Sequence, residues 1–275
     1  MKYMLLVYFF LFFLHCSNGF MRNNRLFNSM SNNFKYNDDE LTNKKMISIA
    51  PGGTNGFYTL GVSSYIKQNF DLNNYVFSGA SAGAWNALFL SFRHDPNDFI
   101  NTILNIDYDN AKSILDIEYL IKQTLLDRYT DDDFNLKSIY VGVTTLEKFK
   151  FKTSIYTDFE NLDDAIDACI ASSHIPFITG GLITKYKNKI SFDGGFSKNP
   201  YLDKLTPVIK LSHTMWKNKM MMSLKETFKK DEEADFGDIS EVALQKPGDF
   251  NVYDLYMKGF KDTKRNDWFL RRKIK

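Results

Sequence analysis

The chain has 275 residues, 44% hydrophobic and 25% charged, with 35 Lys and Arg against 33 Asp and Glu for a formal net charge of +2. That is enough chain to bury one large core, so a single α/β domain with extensions is the default architecture. Near-balanced charge, without zinc-finger spacing or a dense basic stripe, argues against nucleic acid as a partner.

At the start, Lys2 precedes an apolar run from Tyr3 to Leu14, and then Ser17 and Gly19 supply small residues for cleavage after Gly19. The run is shorter than the ~20 residues that span a bilayer. Residues 1–19 therefore read as a signal peptide, with an uncleaved signal anchor as the alternative, and the expected location is the secretory route, lumenal or secreted. Cleavage would remove Cys16 and leave Cys169 without an intrachain partner. Residues 20–44 turn to Asn, Arg, Asp and Ser and read as a flexible leader. The ordered domain is expected over residues 45–205.

It opens with a short strand, "MISIA", followed by Pro51, Gly52, Gly53 and then a helical pattern with Phe57, Leu60, Val62, Tyr65 and Ile66 on one side. A glycine loop between strand and helix is an anion cradle, because backbone N–H groups and the helix's positive end converge there. The anion can be a phosphate or a transient oxyanion. The loop lacks the Lys-Ser/Thr ending of a P-loop, and Pro51 stands in the first glycine place of a G-x-G-x-x-G pattern.

The second strand, "YVFS", runs into Gly79, Ala80, Ser81, Ala82 and Gly83, then into a helix carrying Ala84, Trp85, Ala87, Leu88 and Phe89. This is G-x-S-x-G between strand and helix, the setting in which a tight turn lifts a serine hydroxyl above the sheet edge. In one parallel sheet both glycine turns open at the same carboxyl edge, where ligands bind. Gly52 and Gly53 are then candidate N–H donors to an oxyanion formed by attack of Ser81. The alternative is two structural turns around a generic sheet.

Further on, "LDDAIDACIASSHIPFITGGLI" reads as a helix packing Ile166, Ala168, Cys169 and Ile170 inward and stopped by Pro176. "KISFDGGFSKNP" then places Asp193 at the end of a short alternating strand, with Gly194 and Gly195 allowing a sharp turn. The carboxylate is either a base for Ser81 or part of an ordinary Asp-Gly hairpin turn.

Together these segments resemble the patatin-like phospholipases over roughly Lys45 to Leu202: the glycine loop, "GASAG", the "TT" of "YVGVTTLEKFKF", "ASSHIPF", and "DGG" with "NP" behind it. "SIAPGGTNGFYTLGV", "FSGASAG" and "IPFITGGL" are most similar to the adiponutrin and triacylglycerol-lipase branch. The resemblance implies a three-layer α/β/α fold around a mostly parallel sheet, and an acyl hydrolase using Ser81 as nucleophile, Asp193 as base and the Gly52 and Gly53 amides as oxyanion donors. No cofactor and no metal is implied, and a lipid ester is the implied substrate. Pro51 and Asn55 depart from the family pattern, which has glycine at the first place and often Arg or Lys at the second. A patatin-like chain that only binds lipid is the alternative from another class.

Ser81, Asp193 and His213 also follow the chain order of an α/β-hydrolase triad. His213 sits in "KLSHTMWKNK", with helix-like residues after it, and reads rather as a surface or capping residue. His94 is expected to serve the last carbonyls of the elbow helix, and His174 to be structural or, from its closeness to the presumed site, a secondary catalytic candidate. Residues 206–275 form a mainly helical extension. It includes an acidic connector, "DEEADFGDISE", and a basic aromatic tail, "MKGFKDTKRNDWFLRRKIK". That tail either makes peripheral contact with anionic lipid or is a solvated terminus. Oligomeric state is left open.

Overall fold

The computed structural model describes residues 41–148, 150–216 and 251–275. The signal run, residues 20–40 of the leader, the acidic connector and the segment following Trp216 lie outside the described residues.

Strands β1 (Lys45–Ile49) and β2 (Tyr75–Ala80) are mainly apolar, interrupted by Ser48 and Ser78, and almost wholly buried, as central strands of a parallel sheet must be. They pair in parallel, Ile49 opposite Gly79, and α1 (Gly56–Asn69) connects them. After β2 come α2 (Ala82–Ser91), α3 (Pro96–Leu104) and α4 (Ile114–Arg128). Side chains of Asp95 and Ser113 cap α3 and α4, which fixes where these helices begin. Strand β3 (Ile139–Glu147) folds back as β4 (Lys150–Tyr156), and α5 (Leu162–Ser172) leads to the short hairpin β5 (Thr184–Tyr186) and β6 (Lys189–Phe192). The last strand, β7 (Pro207–Leu211), returns beside β1, and α6 (Val252–Arg265) and α7 (Asp267–Lys273) follow.

The seven-stranded sheet runs β5-β6-β3-β2-β1-β7, with β4 also on β3. Strands β3, β2, β1 and β7 are mutually parallel, while β4, β6 and β5 are antiparallel additions. This is the α/β class, a central, mostly parallel sheet flanked by helices. Ile47, Ile49, Phe77, Val141 and Val143 enter the large core shared with the helices. The alternate residues Met46, Val76, Tyr140 and Ile155 meet Leu41, Leu202 and Leu205 in a smaller cluster. One strand lies past the expected domain boundary at 205, since β7 completes the parallel block.

Helix α1 departs from the amphipathic pattern. Every residue from Tyr58 to Ile66 is buried, because α6 covers the side that would otherwise face water. The two helices meet at glycines: a methyl group on Gly61 would lie 2.0 Å from the Tyr256 carbonyl oxygen, and one on Gly259 1.9 Å from that of Tyr58. Ser64 with Tyr256, and Tyr58 with Asp262, hydrogen-bond across the same contact. The basic tail is therefore part of the fold rather than a solvated terminus. Leu270 and Ile274 are buried, and the Lys275 carbonyl accepts bonds from Lys45 Nζ and the Tyr75 hydroxyl at the amino ends of β1 and β2.

Gly61→Ala should accordingly destabilise the protein by about 3 kcal/mol, the upper range for overpacking, since both clashing partners are backbone. Urea unfolding measures this. An unchanged midpoint would show that α1 and α6 do not meet there.

Candidate active site

Backbone register places the site. Strand β4 occupies one edge of β3 from Val141 to Glu147. The opposite edge is shared end to end: β2 pairs up to Ala80 opposite Gly142, and β6, running the other way, up to Phe192 opposite Thr144. The residues next in chain, Ser81 and Asp193, must then meet in the single-residue gap beside Val143. They do: the Asp193 carboxyl faces the Ser81 side chain, whose hydroxyl lowers its proton affinity, and it accepts a hydrogen bond at 2.6 Å from the Gly195 N–H.

Ser81 sits at φ 54°, ψ −131°, a strained conformation for a residue with a side chain. Two contacts hold it. Its N–H donates to Ser172 Oγ at 2.7 Å, and Ser172 Oγ donates to the Gly142 carbonyl at 2.6 Å, so the end of α5 ties the turn to β3. The flanking glycines pass backbone against backbone, with a methyl on Gly79 only 2.1 Å from the Gly83 carbonyl oxygen. Ala80 and Ala82 are the small residues on either side of the serine.

Asp193 is 5% exposed, and its own N–H donates to the His174 carbonyl at 2.7 Å. Burial pushes its carboxyl up to about 6, against the opposing pull of Ser81 and the Gly195 bond. The group is therefore ionised at neutral pH yet a better proton acceptor than an exposed aspartate.

The glycine loop closes the third side. Gly53 has φ 51°, a backbone that suits glycine, and opens a short turn leading into α1. Pro51 offers no N–H. Its ring instead packs beside the Asp193 turn, 3.3 Å from where a methyl on Gly195 would sit. Gly194 follows Asp193 and rests on Ala80 and Gly142. All the residues expected at the site, Gly52, Gly53, Gly79 to Gly83, and Asp193 to Gly195, are thus brought to one corner.

The histidines differ from expectation in two cases. His213 is half-buried, not a surface residue, because β7 runs level with β1, Leu211 opposite Ile49, and delivers it beside the glycine loop. Its Nδ1 is 3.7 Å from where a methyl on Gly52 would lie. His94 pairs with the Asp133 carboxylate at 2.6 Å rather than with helix carbonyls. His174 is buried, its imidazole held below the usual range by burial.

Two residues of this neighbourhood carried no expected role. Ser172 lay unremarked within "ASSHIPF". Glu118 on α4 is 5% exposed and lies near Ser173 and Trp85, whose own hydrogen bonds go to Cys169 and to each other. Burial first, and the nearby Asp193 charge as well, push it up to about 8. Its sequence position gives a signal: Ile114, Glu118, Ile121 and Leu125 share one helical face, so a carboxyl stands in an apolar stripe.

Comparison with protein families supplies the identity. The model of the patatin-like phospholipases matches residues 47–205, more than half of the chain and the segment that holds the whole corner. The chain belongs to the patatin-like phospholipase family. No curated protein matched it. Membership suggests lipid acyl hydrolysis as the activity, and places the glycine loop, the elbow and the Asp193 turn of this patatin-like protein inside the matched region.

The Glu118 geometry makes a stability prediction. A carboxyl whose folded pKa is raised holds its proton in the native state where the unfolded chain has lost it, so stability falls as pH rises through that window. Asp193 contributes up to about 6 and Glu118 up to about 8. Denaturation midpoints of the parent should fall between about pH 6 and 8, whereas Glu118→Gln should flatten that limb. Equal slopes in both proteins would mean that Glu118 is ionised in the native state.

Proposed function

We propose that the protein hydrolyses carboxylic esters of lipids with a Ser81–Asp193 dyad. The observation that supports this most is the juxtaposition of the Ser81 side chain and the buried Asp193 carboxyl at the sheet's carboxyl edge. As Ser81 Oγ attacks the ester carbonyl, Asp193 takes its proton, so a free alkoxide is never formed. The oxyanion receives N–H bonds from Gly52 and Gly53 and from Ala82, whose amide is the first of α2 and has no partner within the helix. Protonated Asp193 returns its proton to the departing alcohol, leaving an acyl-serine ester. Asp193 then activates water, which releases the fatty acid and restores Ser81.

An ester suits this machinery, because an alkoxide leaving group needs only modest acid assistance. "IPFITGGL" and the two glycine motifs carry the likeness to the triacylglycerol-lipase branch, so triacylglycerol is the first substrate to try beside phospholipid. The triad reading loses support from the same arrangement, since the Asp193 carboxyl interacts with Ser81 itself, while His213 lies beside Gly52 of the glycine loop.

Fatty-acid release from a panel of defined lipids, read by mass spectrometry, tests the proposal. Ser81→Ala and Asp193→Asn should abolish release without unfolding the protein. Gly53→Ala should lower kcat by about a hundredfold with little change in KM, the mark of a bond made in the transition state. His213→Ala should lose far less than either dyad variant. Full loss in a well-folded His213→Ala protein would restore the triad, and release by Ser81→Ala would remove the serine mechanism altogether.

A further inference from the structure

The loop between α5 and β5 is built to hold apolar side chains outward. Ile175 N–H donates to Thr179 Oγ1 at 2.8 Å, Thr179 N–H to the Ile175 carbonyl at 3.0 Å, and Ile178 N–H to the same carbonyl at 3.1 Å. Within this bonded loop Phe177 has φ 64°, strained for a bulky residue, and remains 47% exposed. Leu182 and Ile183 are 41% and 51% exposed. Leu115 of α4 lies against Gly180, and Tyr119, one turn further along the same helix face, is 53% exposed. A strained, ordered aromatic beside further exposed apolar residues marks an interaction surface rather than incidental exposure.

The charge around this patch points to its partner. Strand β5 follows Ile183 directly, and the β3–β4 and β5–β6 hairpins, on either side of β3, carry Lys148, Lys150, Lys152, Lys185, Lys187 and Lys189. Register brings both turns to one end of the sheet, since Glu147 pairs with Lys150 while Leu146 pairs with Ile190. Glu147 engages Lys152 and Lys189, and Asp164 engages Lys187, while Lys148, Lys150 and Lys185 are exposed. An apolar patch bordered by cations matches an anionic lipid surface, whose acyl region takes Phe177, Leu182 and Ile183 while its headgroups attract the lysines. The same loop holds Asp193 through the His174 carbonyl, so contact here is made beside the Ser81 corner.

We infer that the Ile175–Ile183 loop, with the adjoining face of α4 and the lysine hairpins, docks the protein on anionic lipid. This assigns the docking surface to the site's side of the molecule. The basic tail runs to the opposite edge, where Lys275 meets Lys45 and Tyr75. The benefit of docking rests on the hydrolase proposal, but its test does not.

Sedimentation of full-length Ser81→Ala protein with phosphatidylcholine vesicles, with and without phosphatidylglycerol, reads binding in the absence of turnover. Phe177→Asn relieves the positive φ, so it should fold at least as well as the parent. Combined with Leu182→Ser and Ile183→Ser, it should lower binding to phosphatidylglycerol vesicles by tenfold or more. Lys185→Glu should lower it about fivefold on those vesicles alone. Arg272→Glu, on α7, should leave it unchanged. In a second measurement, Leu182→Trp should be quenched by lipids brominated along the acyl chain, whereas Lys261→Trp on α6 should not. Equal vesicle binding by the parent and the triple variant, an unquenched Trp at 182, or binding lost only with Arg272→Glu would each overturn the inference.

Discussion

The site depends on two strands sharing one edge of β3. Because β4 fills the other edge over the same span, β2 and β6 must abut, and one residue of β3, Val143, separates Gly142 from Thr144 where they end. A shift of a single pair in either ladder would turn Ser81 or Asp193 to the other face. The antiparallel additions to the sheet are therefore more than edge decoration. They bring the second carboxyl-bearing turn back to meet the elbow formed by the parallel half.

Burial sets the electrostatics of this meeting place. Asp193 has lost most of its water, and Ser81 and the Gly195 bond replace only part of it, so its proton affinity rises to a range useful near neutral pH. Glu118, equally buried and near the Asp193 charge, is pushed further, to about 8. Two carboxyls in one neighbourhood thus have different proton affinities because their surroundings differ. The strain at Ser81 is held by Ser172, whose hydroxyl joins the turn to Gly142, and α6 braces α1 behind the glycine loop.

Much of this was legible in the chain. The strand-glycine-helix junctions at 49–56 and 78–84 reported their own geometry, because glycine suits the positive φ at Gly53 and only glycine fits the backbone contact at Gly79. Asp193 was ambiguous, since a hairpin turn and a presented carboxylate use the same Asp-Gly pair; the two are distinguished by the pairing of Phe192 with Thr144, a long-range contact that no local pattern encodes. His213 was misplaced for the same reason. "VIKL" belongs to the sheet, and its register with β1 sets where His213, two residues beyond Leu211, comes to lie. The basic tail read as a lipid-contacting or solvated terminus because its buried residues include Gly259 and Thr263 beside Leu270, and a helix contact made through glycine leaves little hydrophobic signature.

The central claim is that Asp193, with no imidazole between, activates Ser81. Fluorophosphonate labelling, with the adduct located by mass spectrometry and its rate followed against pH, addresses it most directly. The account predicts labelling at Ser81 whose rate falls as pH drops through about 6, the value set by the Asp193 environment, a limb lost with the rate itself in Asp193→Asn and retained in His213→Ala. Labelling that survives in Asp193→Asn but vanishes in a folded His213→Ala protein would contradict it and make the imidazole the base.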